Sequence, residues 1–429
     1  MISISEAQTI VKRHRPNPGR AEVSLAEAAG HRLAEDVAAP EPMPAFDNSS
    51  MDGYAVALPD RDSAGGPWEL AVVGESQAGD PYNGALQAGE AIKISTGAVV
   101  PTGADRVIPI EDTDGGSERV RFRDDGSPHA NVRFEGEEVA VGDGVAERGA
   151  LLTPPLLGRL ASLGVAQVPV YEPPTVALLT TGSELVGVDA DLQPGQIRDA
   201  NRYVLTALLD DTGATLGHIE SVPDRRGDTA DSIDRAADAA DVVLVTGGVS
   251  VGPHDHVKGA AEEVGFERHF WKVRQKPGKP LYFATRDAAT ERDTLERDTL
   301  LFGLPGNPFS ATISTVVYVR PLLRRCLGHP HPKGRRMNGR LASPYDRLAP
   351  DRAQFVLVRV DGVEDEIAIL RSVEKQGSHM LAGLHESDGF IRVPAGRERI
   401  EAGDHFDVTL FPWHAPDWDV SRERGMKHS

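Results

Sequence analysis

A multidomain fold of α/β plus β class is the expectation for this sequence, and three features carry it. Residues 173–330 alternate continuous apolar runs with helical patterns, as a parallel sheet covered on both faces requires. The stretches 43–131 and 331–415 show short alternating runs between Gly, Pro and Asp clusters, which mark β domains. A helix-like start (1–42) and a later segment (132–172) bracket the first β stretch. That stretch is therefore expected as an insertion into a discontinuous N-terminal/linker domain.

Taken in order, the opening "MISISEAQTIVKRH" is polar and helix-like over 5–14, without the apolar centre of a signal peptide. "SLAEAAGHRLAEDV" carries a serine cap and helical apolar spacing, which predicts a second helix over 24–38. After "PEPMPAFDNSSMDGYAV" (40–56), runs such as "AIKIS" and "RVIPI" read as strands. A helix from Pro154 to Leu163 with β flanks then returns the chain to the first domain. In the α/β domain "TVALLTT" is a buried strand, "NRYVLTALLDDTG" a helix ending on Gly213 and "TLGHIES" the next strand. A helix near 228–240 follows, then "DVVLVTGG" as a central strand and "VKGAAEEVG" as a helix. "TLLFGLPGNP" is a further strand, and "FSATISTVVYVRPLLRRCLG" one long closing helix. "QFVLVRV", "EIAILRSV" and "HFDVTLF" alternate as strands of the C-terminal domain. The direct repeat in "ERDTLERDTL" reads as a solvated hairpin or loop insertion.

Composition narrows the function. A chain of 429 residues suggests two to four domains, and 40% hydrophobic with 26% charged residues describes a globular protein. No apolar run is long enough to span a membrane, so no membrane partner is expected. A net charge of −19 argues against nucleic-acid binding, which needs a basic footprint. The single cysteine, Cys326, excludes intrachain disulfides, suits a reducing cytoplasm, and reads as a small buried hydrophobe near a helix end. Nine lysines against 37 arginines, with the acidic excess, resembles the composition of proteins in salt-loaded cytoplasms, as in a halophilic organism. Three of those nine, Lys272, Lys276 and Lys279, fall within eight positions of "WKVRQKPGKPLYF".

Each Gly-bearing polar cluster of the α/β domain follows a buried strand: "TTGSEL", "VTGGVSVGPHDH" and "LPGNPFS". Ligands of open α/β sheets bind at the carboxyl ends of the strands. Glycines there let backbone N–H groups approach an anion, and a following helix N-terminus adds a favourable dipole. Ser183, Gly247, Gly248, Ser250, Pro305 and Asn307 on these loops are candidate ligand contacts. The order GxxxxGK[ST] is absent and "TGGVSVG" lacks the GxGxxG order, so neither a P-loop nor a dinucleotide fingerprint is expected. Glu184, Asp199 and Asp255 lie on the same loops. A carboxylate and an oxyanion repel unless a cation lies between them, so this grouping predicts Mg²⁺. The alternative for each is a solvated surface carboxylate. His254 and His256 flank Asp255, but two histidines without further ligands at useful spacing are a weak zinc signal.

The chain resembles, from end to end, the molybdopterin molybdenumtransferase family (bacterial MoeA and the gephyrin E domain). The resemblance is carried by "FDNSSMDGYAV", "ISTGAVVP" with "GADRVI", "NVRFEGEEV", "TTGSEL", "GQIRDANR", "GGVSVGPHD", "KPGKP", "LPGNPFSA" and "QGSHML". It implies a molybdopterin-binding α/β domain, a C-terminal β-barrel and a homodimer whose cleft is shared between copies. It further implies a reaction of molybdenum cofactor biosynthesis. The implied reaction inserts molybdate into adenylylated molybdopterin with Mg²⁺-assisted release of AMP, in the cytoplasm, and the implied partners include the molybdopterin adenylyltransferase. Carried over by position, Asp52 and Thr96 face the cleft from the inserted domain, and Glu184, Asp199 and Asp255 organise Mg²⁺ and the chemistry. Lys276, Lys279, Pro280, Ser310, Arg352 and Ser378 form the molybdate pocket, and Lys272 matches a further family lysine. Where the family usually has Gly-Glu-Asp, this chain has Gly136-Glu137-Glu138, so Glu138 has to reach the same place with one more methylene.

Lysine is a compact point charge suited to a tetrahedral dianion, whereas arginine's fork suits planar oxyanions. With Pro277 and Pro280 stiffening the loop, both ammonium groups are expected in a partly enclosed pocket rather than on a solvated turn. A dimeric scaffold of the gephyrin type is the competing function, and a tungstate-specific insertase is another. Retention of the acidic cleft candidates and of "KPGKP" favours the enzyme, since a scaffold needs neither.

Overall fold

The computed structural model describes residues 1–14, 16, 19–58, 65–124, 127, 129–250, 255–287, 298–346 and 350–414. The chain divides into two compact units, Glu22–Val170 and the combination of Met1–Ala21 with Tyr171–Ser429. Helix α1 (Ile4–Arg13) opens the chain with a capping box: Ser3 Oγ accepts from Glu6 N while Ser3 N donates to Glu6 Oε2 at 2.7 Å. Its stripe of Ile4, Ala7 and Val11 packs into the core of the larger unit. The first 21 residues therefore group with the α/β domain and not with the 1–42 piece to which sequence spacing assigned them.

In the unit Glu22–Val170, the helix expected over 24–38 does not form. Ser24 does not cap: its Oγ donates to Glu27 Oε2, Glu27 N bonds Ser24 O, and only one turn follows before Gly30 at φ +80°. Beyond it the backbone pairs elsewhere: Leu33 N donates to Ala150 O and Ala34 N to Pro169 O. Burying Leu33 completely in that extended pairing outweighs its helical spacing. Ala39 N donates to Asp143 O and Met43 N to Val139 O, so the chain leaves and returns side by side. Between those points lie β1 (Gly53–Ala57), β2 (Gly65–Ser76), β3 (Glu90–Ile94), β4 (Arg106–Pro109) and β5 (Arg119–Asp124), in the order β4-β1-β3-β2-β5. Alternation along β1 sends Tyr54 and Val56 to one core and Ala55 and Ala57 to another. Helix α2 (Pro154–Ser162) forms where expected, with Pro154 at its first position.

The larger unit is built on β6 (Thr175–Thr181), α3 (Ala200–Asp210), β7 (Thr215–Val222), α4 (Arg226–Ala239), β8 (Val242–Thr246) and α5 (Val257–Glu263). The chain continues through β9 (Glu267–Trp271), β10 (Gln275–Lys276), β11 (Tyr282–Arg286) and β12 (Thr299–Leu304). Sheet order is β7-β6-β8-β12-β11-β9. The first four strands are parallel, but β11 runs antiparallel to both its neighbours, β12 and β9, so the expected all-parallel sheet is mixed. No helix separates β9 from β11, so the chain can only double back. Leu178, Leu244 and Phe302 face one core, and Leu179, Val245 and Leu301 the other.

The closing helix is interrupted. Helix α6 (Pro308–Ser314) passes through one π-helical turn (Thr315–Val319) into α7 (Arg320–Cys326). Pro321 has no N–H to give to an α-helical ladder, and the wider turn before it absorbs that defect. Cys326 is buried at the helix end, as expected. Then β13 (Arg336–Leu341), β14 (Ala353–Glu364), β15 (Ile367–Ser372), α8 (Leu381–His385), β16 (Gly389–Val393) and β17 (His405–Leu410) follow. The order β14-β15-β13-β17-β16 closes through β16 on β14, making a five-stranded barrel. Strand β10 joins its outside, parallel to β14. Of the "ERDTLERDTL" repeat, 291–297 lie outside the described residues, and Thr299 and Leu300 begin β12. No helix among the described residues is long and apolar enough to cross a membrane.

Candidate functional site

Strands β6, β8 and β12 end at one edge of the sheet, and the three glycine loops follow them there. Gly247 has φ +95°, and a Cβ on it would lie 2.4 Å from Thr181 O; Gly248 has φ +61°. Only glycine fits where these two loops touch. Asn201, overlooked in the motif "GQIRDANR", ties the loops together. Its Nδ2 donates to Thr246 Oγ1 at 2.9 Å and to Gly306 O at 2.7 Å. Gly306 O can only accept, so the amide orientation is set and Asn201 Oδ1 is left buried without a donor among the described residues.

Asp199 caps α3, its Oδ1 accepting from Arg202 N at 3.1 Å, while Oδ2 is buried and likewise lacks a donor. Buried acceptor oxygens thus lack donors at both positions 199 and 201, and a carboxylate and an amide oxygen are the ligand types a hard cation takes. Ile197 N donates to Glu184 O, so the segment of Glu184 adjoins that of Asp199. Ser183 and Glu184 are exposed, and the missing Cβ of Gly182 would lie 2.9 Å from both Glu184 carboxylate oxygens. Among the described residues no three His, Cys, Asp or Glu side chains gather into a metal-holding group. Glu184, Asp199 and Asp255 therefore do not form a ready cage. His254 lies outside the described residues, and His256 precedes α5 without capping it through its side chain.

The residues that follow the Gly247–Gly248 turn are held from beside by lysine and tryptophan. Trp271 Nε1 donates to Val249 O at 3.0 Å, and Lys258 Nζ donates to Ser250 O at 2.6 Å. The ammonium groups of Lys258 and Lys272 each lie 3.8 Å from the centre of the Trp271 ring system. Lys272 takes this place at φ +73°, a conformation that costs a non-glycine residue energy. Desolvation, together with the charges of Lys272 and Arg268, holds the Lys258 pKa below its ordinary value despite the opposing pull of Asp255. Neither Lys258 nor Trp271 stood out in the sequence, because cation–π partners have no fixed spacing.

A cavity of 710 Å³ opens where the α/β domain meets the barrel. Lys276, Lys279, Pro280, Pro305, Asn307, Ser310, Arg352 and Ser378 all line it. Gln275, fully buried, makes the frame: its Nε2 donates to Gly278 O at 3.1 Å, and its Oε1 accepts from Tyr318 Oη. Gly278 is at φ +87°, and a Cβ there would lie 2.7 Å from Gln275 Nε2. Pairing of Lys276 with Gln354 carries the loop onto β14, while Ile2 O accepts from Arg274 N. Asn307 Nδ2 donates to Ser378 Oγ at 3.0 Å, and Phe309 N to Ser378 O, closing the wall between domains. Of the two lysines, one departs from expectation. Lys276 is half-buried but Lys279 is exposed, because the Lys279 carbonyl turns inward to accept from Val273 N and Leu281 N.

In the smaller unit, Asp52 Oδ1 accepts from Thr96 N at 2.7 Å and from Thr96 Oγ1 at 3.1 Å. These bonds, from the backbone first, hold the exposed Asp52 carboxyl below its ordinary pKa. Sequence reasoning named this pair without knowing that its members touch. Glu138 is exposed on a loop fixed by its N–H to Met43 O, and among the described residues no hydrogen bond or ion pair joins it to Asp52 or Thr96.

Three family models match the chain in sequence. The MoeA N-terminal region (domain I and II) covers residues 2–164, a probable molybdopterin binding domain 177–325, and the MoeA C-terminal region (domain IV) 338–411. The chain is 35% identical over 423 residues to a Haemophilus influenzae protein named molybdopterin molybdenumtransferase, covering 96% of this chain and 99% of that one. It is 35% identical over 419 residues to molybdopterin molybdenumtransferase 2 of Mycobacterium tuberculosis, covering 95% and 99%. A crystal structure of the molybdopterin biosynthesis MoeA protein from Pyrococcus horikoshii superposes with a TM-score of 0.82 at 29% identity, over 96% of this chain and 99% of that one. By the extent and identity of these matches, the chain belongs to the molybdopterin molybdenumtransferase (MoeA) family.

Proposed function

We propose that this protein is a transferase of molybdenum cofactor biosynthesis that places molybdenum from molybdate on molybdopterin, taking the adenylylated pterin as its second substrate. The observation that carries the reading is the 710 Å³ cavity, in which a half-buried lysine, an arginine and three hydroxyl or amide side chains converge. Cationic charge and short hydrogen-bond donors at this scale suit a tetrahedral dianion. Lys276 supplies the enclosed ammonium, Lys279 and Arg352 charge at the mouth, and Ser310, Asn307 and Ser378 the neutral donors. The pterin ligand's phosphates sit on the Gly247–Gly248 turn, within reach of Lys258 and Lys272.

Mg²⁺ suits Asp199 Oδ2 and Asn201 Oδ1, with Glu184 alongside. When bound, it supplies charge neutralisation between carboxylate and phosphate. Glu184 and Asp255 hold protons or water near the adenylate, and Asp52, kept ionised by Thr96, belongs to the same machinery. A homodimer working in a salt-rich cytoplasm is part of this reading, and sedimentation equilibrium checks the dimer. The decisive assay is turnover of adenylylated molybdopterin with molybdate and, separately, with tungstate. Molybdenum insertion that disappears in Lys276→Ala is the expected result; no turnover by the wild type with either oxyanion overturns the function.

A further inference from the structure

A second cavity, of 1170 Å³, lies where α7 leaves the α/β domain and enters β13, and it shares no lining residue with the first. The chain has 65 acidic residues in 429, yet residues 299–345 contain none. The same stretch holds seven cations, and six of them line this cavity: Arg320, Arg324, Arg325, Lys333, Arg335 and Arg336. Such a concentration is foreign to a chain of net charge −19.

Ordinary structural roles account for part of it. Arg320 is neutralised by Asp211 through two hydrogen bonds, with Nε to Oδ2 at 2.8 Å. Arg324 and Arg325 fall in the last turn of α7, where a positive charge complements the helix dipole, and Arg324 also bonds His329. His414, another lining residue, pairs with Asp388 at 3.1 Å. Arg325, Lys333, Arg335 and Arg336 make no ion pair among the described residues. Like charges brought together without counter-charges repel. Desolvation of its ammonium end and the charges of Arg336, Arg325, Arg392 and Lys12 hold the Lys333 pKa below its ordinary value, although most of that residue is exposed.

We propose that this cavity is an anion site for a small phosphate-bearing molecule with the charge of an inorganic or nucleoside polyphosphate. Four uncompensated cations exceed what one phosphate group needs, and they match a chain of two or three. The volume accommodates a nucleotide, being somewhat above the ordinary ~300–1,000 Å³ of small-ligand sites. Arginine forks bind phosphate oxygens in pairs, and three of the four cations without an ion pair among the described residues are arginines.

Calorimetric titration with inorganic pyrophosphate, ATP and adenosine, at ~0.1 M and ~1 M salt, tests the site. The first cavity and the Gly247–Gly248 turn also attract oxyanions, so a variant of the first cavity is set against one of this cavity, and the loss in the latter assigns the event here. Lys276→Ala with Lys279→Ala should keep a pyrophosphate-binding event that weakens in high salt. Arg325→Gln, Lys333→Gln and Arg336→Gln combined should weaken that event by at least ~10-fold while leaving molybdenum insertion unchanged. Adenosine alone should not bind there. Lys333→Gln alone, at an exposed position, gives a smaller loss in the same direction and covers failure of the triple variant to fold. Equal pyrophosphate binding by wild type and a folded charge variant overturns the proposal, as does absence of pyrophosphate binding in the Lys276, Lys279 double variant.

Discussion

Lys272 and Lys276 are four residues apart, yet the molecule holds them in different ways. Lys272 leans on the Trp271 ring beside Lys258, and those side chains in turn hold the carbonyls of Val249 and Ser250. Lys276 is held by its backbone: it pairs with β14, and its loop is braced from beneath by the fully buried Gln275. The first arrangement depends on side chains that can exchange partners when a ligand arrives. The second is stiff before any ligand comes, as suits a small anion with no conformational freedom of its own. The pair teaches that one sequence loop can place one charge adaptably and the next rigidly.

Four substitutions would break or sharpen this contrast. Lys276→Ala removes the enclosed ammonium and should lower molybdate-dependent turnover by ~10²-fold or more, whereas Lys279→Ala, at an exposed position, should cost only ~10-fold. Equal losses, read by steady-state kinetics, would show that exposure does not separate them. Gln275→Leu leaves Tyr318 Oη and Gly278 O without their partner, costing ~2–3 kcal/mol of stability by denaturant melts, and turnover should fall with it. Trp271→Leu should leave the molybdate KM nearly unchanged, while raising the KM for the pterin ligand by ~10-fold through loss of the cation–π contacts. A raised molybdate KM in that variant would merge the two sites.

The smallest effect concerns Asp52. Its carboxyl titrates below the ordinary range, so its bonds to Thr96 persist above the ordinary pKa and are lost as pH falls through the lowered one. Thr96→Val removes the hydroxyl bond and keeps the amide bond. The Asp52 pKa, followed by carboxyl NMR, should rise part of the way back. An unchanged value would assign the whole shift to the backbone.

Much of the fold was legible because burial periodicity marks it: the strands 175–181, 242–246 and 299–304 are apolar runs ending on glycine loops. The 24–38 segment misled because its leading serine and its spacing are local signals, while the partners that drew Leu33 and Ala34 into extended pairing lie more than 110 residues away. The antiparallel turn of β9 and β11 was hidden for a similar reason, since apolar runs carry no direction. Among site residues, charged motif members could be named from sequence. Asn201, Gln275 and Trp271 could not, because each acts by the groups it reaches in space.

By itself the sequence determined the division into α/β and β parts, the glycine loops at strand ends, and the lysine-rich loop, since each rests on local pattern and residue chemistry. Only the tertiary structure decided that α1 packs on the α/β core, that Lys276 is sheltered and Lys279 is not, and that the cations of 320–336 line one cavity. Enclosure and uncompensated charge are properties of neighbours distant along the chain, and no window of the sequence contains them.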